Sequence, residues 1–190
     1  MNTFNLFVYG TLMQGYRANS FIPKDSKMLK GKIAGNLFHY IAGYPIVEIL
    51  KHPQSICGTE DYLEDVAKQN NLNKTRLDSL PFDLNYGRVY GELYEIVFSD
   101  KEELEDSLNA LDSYEGFNPH SDYSLYNRTL VPVETEEGII WSWVYNMESI
   151  PNYTVHILSG NWRDCFNTYG SIRPEVSRAI QFKAMMNKGY

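Results

Sequence analysis

The sequence predicts one α+β domain, and three stretches carry that reading. Residues 4–9, Phe-Asn-Leu-Phe-Val-Tyr, are β-prone and mostly apolar, so they form a buried strand that ends at Gly10. Residues 88–98 are apolar on both faces, as a central or barrel strand requires. Tyr90, Tyr94, Ile96 and Phe98 share one face by period two, and Val89, Leu93 and Val97 share the other. A helix with its own start, apolar stripe and stop follows directly. At 190 residues and 43% hydrophobic, the chain suits one domain with one core.

The remaining elements follow in order. Residues 31–49 read as short strands broken by Gly35 and by Gly43-Tyr44-Pro45. From about 51 to 85 the composition shifts to Asn, Asp and Lys, with Pro53 and Pro81 near the ends. Tyr62, Leu63, Val66 and Ala67 recur there at helical spacing, so this stretch is expected to be an insertion holding one short helix. It is too short to bury a core of its own. In the helix after residue 98, Ser99 is the expected N-cap and Glu102 its capping-box partner. Leu104, Leu108 and Leu111 supply the stripe, and Gly116 is the natural stop, which puts Glu115 at the helix C-terminus. Strands are expected over about 124–134 and 138–147, joined by a hairpin turn at Glu136-Glu137-Gly138. In the second of them Trp141, Trp143, Tyr145 and Met147 share a face, either as packing or as a pocket wall. Pro174 opens a final helix with Val176, Ala179 and Ile180 inward, part of a C-terminal extension from about residue 166. Fifteen tyrosines suit a core that lines a polar pocket.

Composition narrows the function classes. A net charge of −7 repels phosphate backbones and anionic lipid, so neither nucleic acid nor membrane is an expected partner. No apolar run approaches the roughly 20 residues that span a bilayer, and the N-terminus does not read as a signal peptide. Cys57 and Cys165 lie far apart with no CxxC, which suits free thiols in a reducing cytoplasm. The four histidines lack ligand spacing, so a metal is not expected, although a site built from distant residues stays open.

Two spots carry candidate chemistry. Gly10 and Gly15 mimic the start of a P-loop, but Tyr16 and Arg17 stand where a lysine and a hydroxyl are needed, which argues against nucleotide hydrolysis. The turn Tyr9-Gly10-Thr11-Leu12 fits a different use. A tight turn after a buried strand leaves successive N–H groups unpaired and convergent, a nest for a carboxylate or an oxyanion. Many strands end in glycine, so the pattern alone leaves a plain turn open. No GxSxG is present, nor a cysteine in a nucleophile context. Glu115 is the lone carboxylate of interest. Partial burial and the negative end of the helix dipole both raise a carboxyl pKa, the tuning a general acid/base requires. A solvated helix-end glutamate fits the spacing as well.

Taken together and in order, these segments resemble the gamma-glutamylcyclotransferase-like family, the type that includes plant avirulence-induced proteins and gamma-glutamylamine cyclotransferases. The matching segments are Phe7–Leu12, Gly43-Tyr-Pro45, Val89–Tyr94, Leu111–Gly116, Tyr126-Asn-Arg128 and Trp143-Val-Tyr145. Ser159-Gly-Asn-Trp162 resembles the closing segment, with Asn161 where Asp is usual. The resemblance covers about residues 4–165. It implies a small mixed β-barrel with packed helices, and it carries the catalytic glutamate onto Glu115. It also carries the substrate-gripping loop onto Tyr9, Gly10, Thr11 and Leu12, and a pocket position onto Tyr145. Arg128 matches a recurrent arginine to which no role is assigned.

The implied reaction is intramolecular. The α-amine of a γ-glutamyl group attacks its own γ-carbonyl, 5-oxoproline forms, and an amine or amino acid leaves. No protein nucleophile, metal or cofactor is required. The enzyme supplies a curled geometry, one acid/base and oxyanion stabilisation. The insertion and the tail depart from the minimal family pattern and bear on the substrate. Two rivals stand beside this expectation. One is a non-catalytic module that binds a small carboxylate on the same fold. The other is glycoside hydrolysis, which needs a second carboxylate about 5 to 9 Å from Glu115, with Glu92 the candidate. Neither the leaving amine nor the oligomeric state is encoded legibly.

Overall fold

Eight strands, two complete α-helices and a further helical stretch at 174–179 are found in the described part of the chain, residues 2–121, 123–166 and 172–179 of the computed structural model. The strands are β1 (Asn2–Val8), β2 (Lys27–Tyr40), β3 (Pro45–Ile49), β4 (Ile56–Cys57), β5 (Gly87–Phe98), β6 (Asn127–Thr135), β7 (Gly138–Asn146) and β8 (Thr154–His156). The helices are α1 (Tyr62–Leu72) and α2 (Lys101–Glu115), and two short 3-10 turns cover Arg17–Phe21 and Trp162–Cys165.

Five of the strands close into a barrel in the order β2, β5, β1, β7, β6. The pairs Gly31↔Thr135 and Lys32↔Glu134 return β6 to β2. β3 and β8 extend from β2, and β4 extends from β6. This is the expected α+β fold with a mixed barrel. β1 is antiparallel to β5 along its length but parallel to β7, a pairing that rests on Leu6↔Trp143. Its apolar side chains are buried on both faces: Phe4, Leu6, Phe7 and Val8 all belong to the core. That explains why the segment reads as an unbroken apolar run and not as an alternating one.

The 51–85 stretch is built into this barrel. β1 and β7 splay apart on either side of their single pairing, and α1 fills the wedge with polar side chains. Gln69 Oε1 accepts from the Asn5 N–H at 2.8 Å, and its Nε2 donates to the Thr3 carbonyl at 3.0 Å. Asn73 does the same for Trp141, accepting from its N–H at 2.7 Å and donating to its carbonyl at 3.2 Å. Buried backbone groups that a neighbouring strand would otherwise satisfy are satisfied by a helix. The expected single short helix is therefore present, and it packs as part of the sheet.

Several local expectations shift. β2 runs unbroken through Gly35 and does not stop there. Gly35 pairs with Ile49 on one side and Gly87 on the other, and a Cβ would meet the Glu48 carbonyl oxygen at 2.6 Å. The glycine therefore marks a close approach and not a strand end. The N-cap of α2 is Asp100, not Ser99: its carboxylate accepts from Glu103 N–H at 2.9 Å, and Glu103 reaches back to the Ser99 N–H at 2.8 Å. The capping device is the expected one, displaced by a residue because aspartate caps as well as serine. The strand expected from 124 begins at Asn127, since Ser124 closes a loop by donating to the Asn118 carbonyl. On β5, Tyr90 and Val97 face solvent, so the doubly buried part is Leu93–Phe98 apart from Glu95 and Val97. The β6–β7 hairpin turns at Gly138 as expected, and Trp141, Trp143, Tyr145 and Met147 are all buried. Residues 174–179 are helical, with Val176 and Ala179 half-buried; Ile180 lies outside the described residues. Cys57 and Cys165 are unpaired thiols. No helix among the described residues is long and apolar enough to cross a membrane.

Candidate functional site

β1 and β7 run parallel, so their C-terminal ends emerge at the same mouth of the barrel. The turn after β1, the end of β7, the start of β3 and the C-terminus of α2 meet there around a cavity of about 210 Å³. All six candidate residues line it: Tyr9, Gly10, Thr11, Leu12, Glu115 and Tyr145.

The turn is shaped by two close contacts. Met13 N–H donates to the Gly10 carbonyl at 3.0 Å, which closes the chain reversal. A Cβ on Gly10 would stand 2.2 Å from Pro45 Cγ, so only glycine lets the Gly43-Tyr44-Pro45 corner rest on the turn. Tyrosine hydroxyls hold the walls. Tyr9 donates to the Tyr145 carbonyl at 2.8 Å, Tyr126 to the Pro45 carbonyl at 2.7 Å, and Tyr114 to Thr11 Oγ1 at 3.2 Å. Burial pushes the Tyr9 and Tyr145 hydroxyls well above the usual tyrosine range, so both stay neutral. Among the described residues, no acceptor takes the N–H groups of Gly10, Thr11 or Leu12.

Glu115 is the last residue of α2, and Gly116 stops the helix in the left-handed conformation at φ 68°. Burial pushes its carboxyl up to about 8, and the charge of Asp112, three residues earlier on the same helix, adds to the effect. The elevation expected from the sequence is present. Its leading cause is desolvation.

Behind the Tyr145 wall lies a charged network that the sequence did not reveal. Arg128 is fully buried. Its Nη1 donates to Asp112 Oδ2 at 2.5 Å, and its Nη2 donates to Asp65 Oδ2 and to the Thr59 carbonyl, each at 2.7 Å. Asp112 also accepts from the Tyr145 hydroxyl at 2.5 Å and the Tyr62 hydroxyl at 3.0 Å. Burial raises the Asp112 pKa against the pull of Arg128 and of these two hydroxyls. The guanidinium is sandwiched by the Tyr62, Phe117 and Trp143 rings, at 4.9, 5.1 and 5.5 Å from their centroids. Asp112 sat inside a recognised motif without a role. Asp65 gave no sequence signal, because its partner is 63 residues away.

Glu92 lies outside the cavity, on the far side of the turn. It accepts from the Gln14 N–H at 2.6 Å and the Tyr94 hydroxyl at 2.9 Å, and pairs with Arg163 Nη2 at 3.0 Å. Arg163 in turn donates to the Gln14 carbonyl at 2.7 Å. Asn19 completes the brace, its Nδ2 donating to the Leu12 carbonyl at 2.8 Å and to the Tyr94 hydroxyl at 3.1 Å. Glu92 is therefore no second carboxylate for glycoside hydrolysis. It ties the exit of the 9–12 turn to the barrel and to the Ser159–Trp162 segment. Glu92→Ala should loosen the turn at a cost of about 1 kcal/mol, since the Gln14 N–H and Arg163 lose a shared acceptor and turn to water. Urea denaturation checks the cost, and faster hydrogen exchange confined to residues 10–19 checks its location.

The fold and the site together define an α+β protein with a small mixed barrel whose mouth joins one elevated carboxyl to an open backbone turn. Residues 79–164 match the family described as Gamma-glutamyl cyclotransferase, AIG2-like. The matched segment is somewhat less than half of the chain, and it holds the Val89–Tyr94, Leu111–Gly116, Tyr126–Arg128 and Trp143–Tyr145 motifs on which the resemblance rests. Solved structures with a similar fold include YkqA from Bacillus subtilis, at 23% identity and a TM-score of 0.49, covering 85% of this chain. The chain spans only 40% of the length of YkqA. Another is an aig2-like protein from Mus musculus, at 16% identity and a TM-score of 0.48, covering 92% of this chain and 97% of that one. A third is a gamma-glutamyl cyclotransferase specific to glutathione from yeast, at 14% identity and a TM-score of 0.43, covering 97% and 88%. No curated protein sequence matches the chain.

Proposed function

We propose that this protein is a gamma-glutamyl cyclotransferase, with Glu115 as general acid/base and residues 9–12 as the glutamyl-binding turn. One observation carries the proposal: a carboxyl elevated to about 8 shares a 210 Å³ cavity with the turn. The turn grips the α-carboxylate and holds the γ-glutamyl chain curled, so the attack is intramolecular. Glu115, ionised, takes a proton from the α-ammonium. The amine nitrogen then bonds to the γ-carbon, and the carbonyl oxygen gains negative charge against the turn amides. When the carbonyl re-forms and the bond from the γ-carbon to the departing nitrogen breaks, Glu115 returns its proton to that nitrogen; ionised again, it takes the surplus proton from the ring nitrogen, which passes to the released amine as it leaves as an ammonium. A group with a pKa near the working pH can perform each of these transfers. Tyr145 forms part of the wall and is held by Asp112. The whole chain is read as one domain, working without metal or cofactor on a small γ-glutamyl substrate. Its two unpaired thiols favour a reducing compartment, the cytoplasm.

Incubation with a panel of γ-glutamyl amines and amino acids tests this. The expected products are 5-oxoproline and free amine in equal amounts. Release of glutamate, or no turnover at all, would sink the proposal. Thermal stabilisation by these ligands without any product would favour the binding-module reading instead. The tuned carboxyl argues against that module, since binding a carboxylate gains nothing from an acid beside it.

A further inference from the structure

Resting on the proposed reaction, we infer that Arg163 is a positioning residue: from behind the 9–12 turn, through Gln14, Tyr16 and Glu92, it holds the turn in its anion-binding shape and so sets the affinity for the glutamyl half. The segment that leads to it, Ser159-Gly-Asn-Trp162, lies outside the cavity, and each of its residues has a geometric task. Gly160 turns the chain at φ 67°, and a Cβ there would run into the Arg88 carbonyl oxygen. Glycine lets the segment lie against β5, where the Gly160 carbonyl accepts from the Tyr90 N–H at 2.9 Å. Ser159 Oγ accepts from the Asn161 N–H at 3.3 Å. Asn161 caps the 3-10 turn that follows, its Oδ1 accepting from the Arg163 N–H at 3.1 Å. Trp162 is buried and donates from Nε1 to Nδ1 of the buried His39 at 3.1 Å. The backbone at Arg163 is thus fastened to β5 on one side and β2 on the other.

From that anchored backbone the guanidinium reaches the exit of the turn. Its Nη2 donates to the Gln14 carbonyl at 2.7 Å and to Glu92 Oε1 at 3.0 Å, and Glu92 Oε2 accepts from the Gln14 N–H at 2.6 Å. Both backbone groups of Gln14 are therefore held, one by Arg163 directly and the other through Glu92. The guanidinium also lies over the Tyr16 ring, 5.1 Å from its centroid, and that ring packs on Trp162 at 5.1 Å. Gln14 and Tyr16 bracket the close of the turn, where the Met13 N–H meets the Gly10 carbonyl. Without the clamp the turn amides converge in only a fraction of the molecules. Apparent affinity then falls by that fraction, while a substrate once seated reacts as before.

Arg163→Met keeps the stem and removes the fork. It should raise KM for γ-glutamyl amides by on the order of tenfold, with kcat within about threefold of wild type. The pH dependence of kcat/KM should keep its midpoint near 8, since Glu115 stands on α2. Arg163→Lys, a charge without the fork, should recover part of the affinity. Trp162→Phe removes the indole N–H and should move KM in the same direction by less. In each variant hydrogen exchange should quicken at the bonded amides of Met13, Gln14 and Tyr16, a readout that needs no turnover. Should Arg163→Met not fold, the other two variants carry the same comparison. A fall in kcat or in melting temperature, with KM and these amides unchanged, would overturn the inference and leave the cyclisation intact. Quickened exchange at these amides with no 5-oxoproline from the wild type would overturn the reaction and leave the clamp.

Discussion

Replacing Glu115 with glutamine should lower kcat for 5-oxoproline release by at least about 100-fold, the low end of what a positioned acid/base contributes. The substitution keeps the size and shape of the side chain, so substrate affinity should change little. The pH dependence is the more specific test. In the proposed reaction the ionised carboxyl starts the proton transfer, and its pKa lies near 8. Wild-type kcat/KM should therefore rise about tenfold per pH unit below 8 and level off above it, and the residual rate of the variant should lack that limb. Stability should move in the opposite direction. The folded chain holds on to a proton that the unfolded chain releases near the ordinary value of 4.5. The stability from this group is thus complete below about 4.5, falls as pH rises, and is lost above about 8. Glutamine escapes that loss. At pH 8.5 the variant should be more stable than wild type by on the order of 3 kcal/mol, with little difference at pH 4. Calorimetric melting at the two pH values reads this directly. Equal activity of variant and wild type would remove Glu115 from the mechanism.

Arg128→Leu should be strongly destabilising. Asp65 and Asp112 both depend on the guanidinium, and leucine leaves two carboxylates in the interior without a counter-charge. Breaking a buried ion pair from one side typically costs about 3–5 kcal/mol. For a domain of this size that lowers the melting temperature by on the order of 10 °C. Adding Asp65→Asn and Asp112→Asn to Arg128→Leu should recover part of the loss, since the stranded charges then disappear. Arg128→Lys should fall between, because an ammonium lacks the fork that reaches both carboxylates and the Thr59 carbonyl together. Wild-type melting of Arg128→Leu would show that the network contributes nothing to folding.

What the sequence disclosed and what it hid divide along the range of the interactions. The end of β1 at Gly10, the leucine stripe of α2, the stop at Gly116 and hence the position of Glu115 are set within a few residues, and all were legible. The Ser99 expectation missed by one position because Ser99 and Asp100 are both competent caps and only the backbone geometry chooses between them. Gly35 looked like a break because a glycine required by a close neighbour and a glycine required by a turn leave the same letter in the sequence. The Arg128 network was beyond reach. Its three members come from α1, α2 and β6, and a buried aspartate such as Asp65 is indistinguishable in sequence from a solvated helix residue. Glu92 was noticed for its carboxyl and assigned the wrong neighbour, since which face of β5 meets the turn depends on how the barrel curls.

The pairing of Leu6 with Trp143 has a consequence for how the chain comes to be folded. β1 is the central staff of the barrel, and both of its partners lie far along the chain from it. Its antiparallel neighbour is complete only at Phe98 and its parallel neighbour only after Trp143. Until then an apolar segment waits without a mate while most of the chain is still being added. Closure must then join segments more than a hundred residues apart, which places the fold among slow folders, in the range of milliseconds to seconds. The barrel mouth that holds Glu115 and the turn cannot form until β7 has been added, because its two parallel walls, β1 and β7, lie more than a hundred residues apart in the chain.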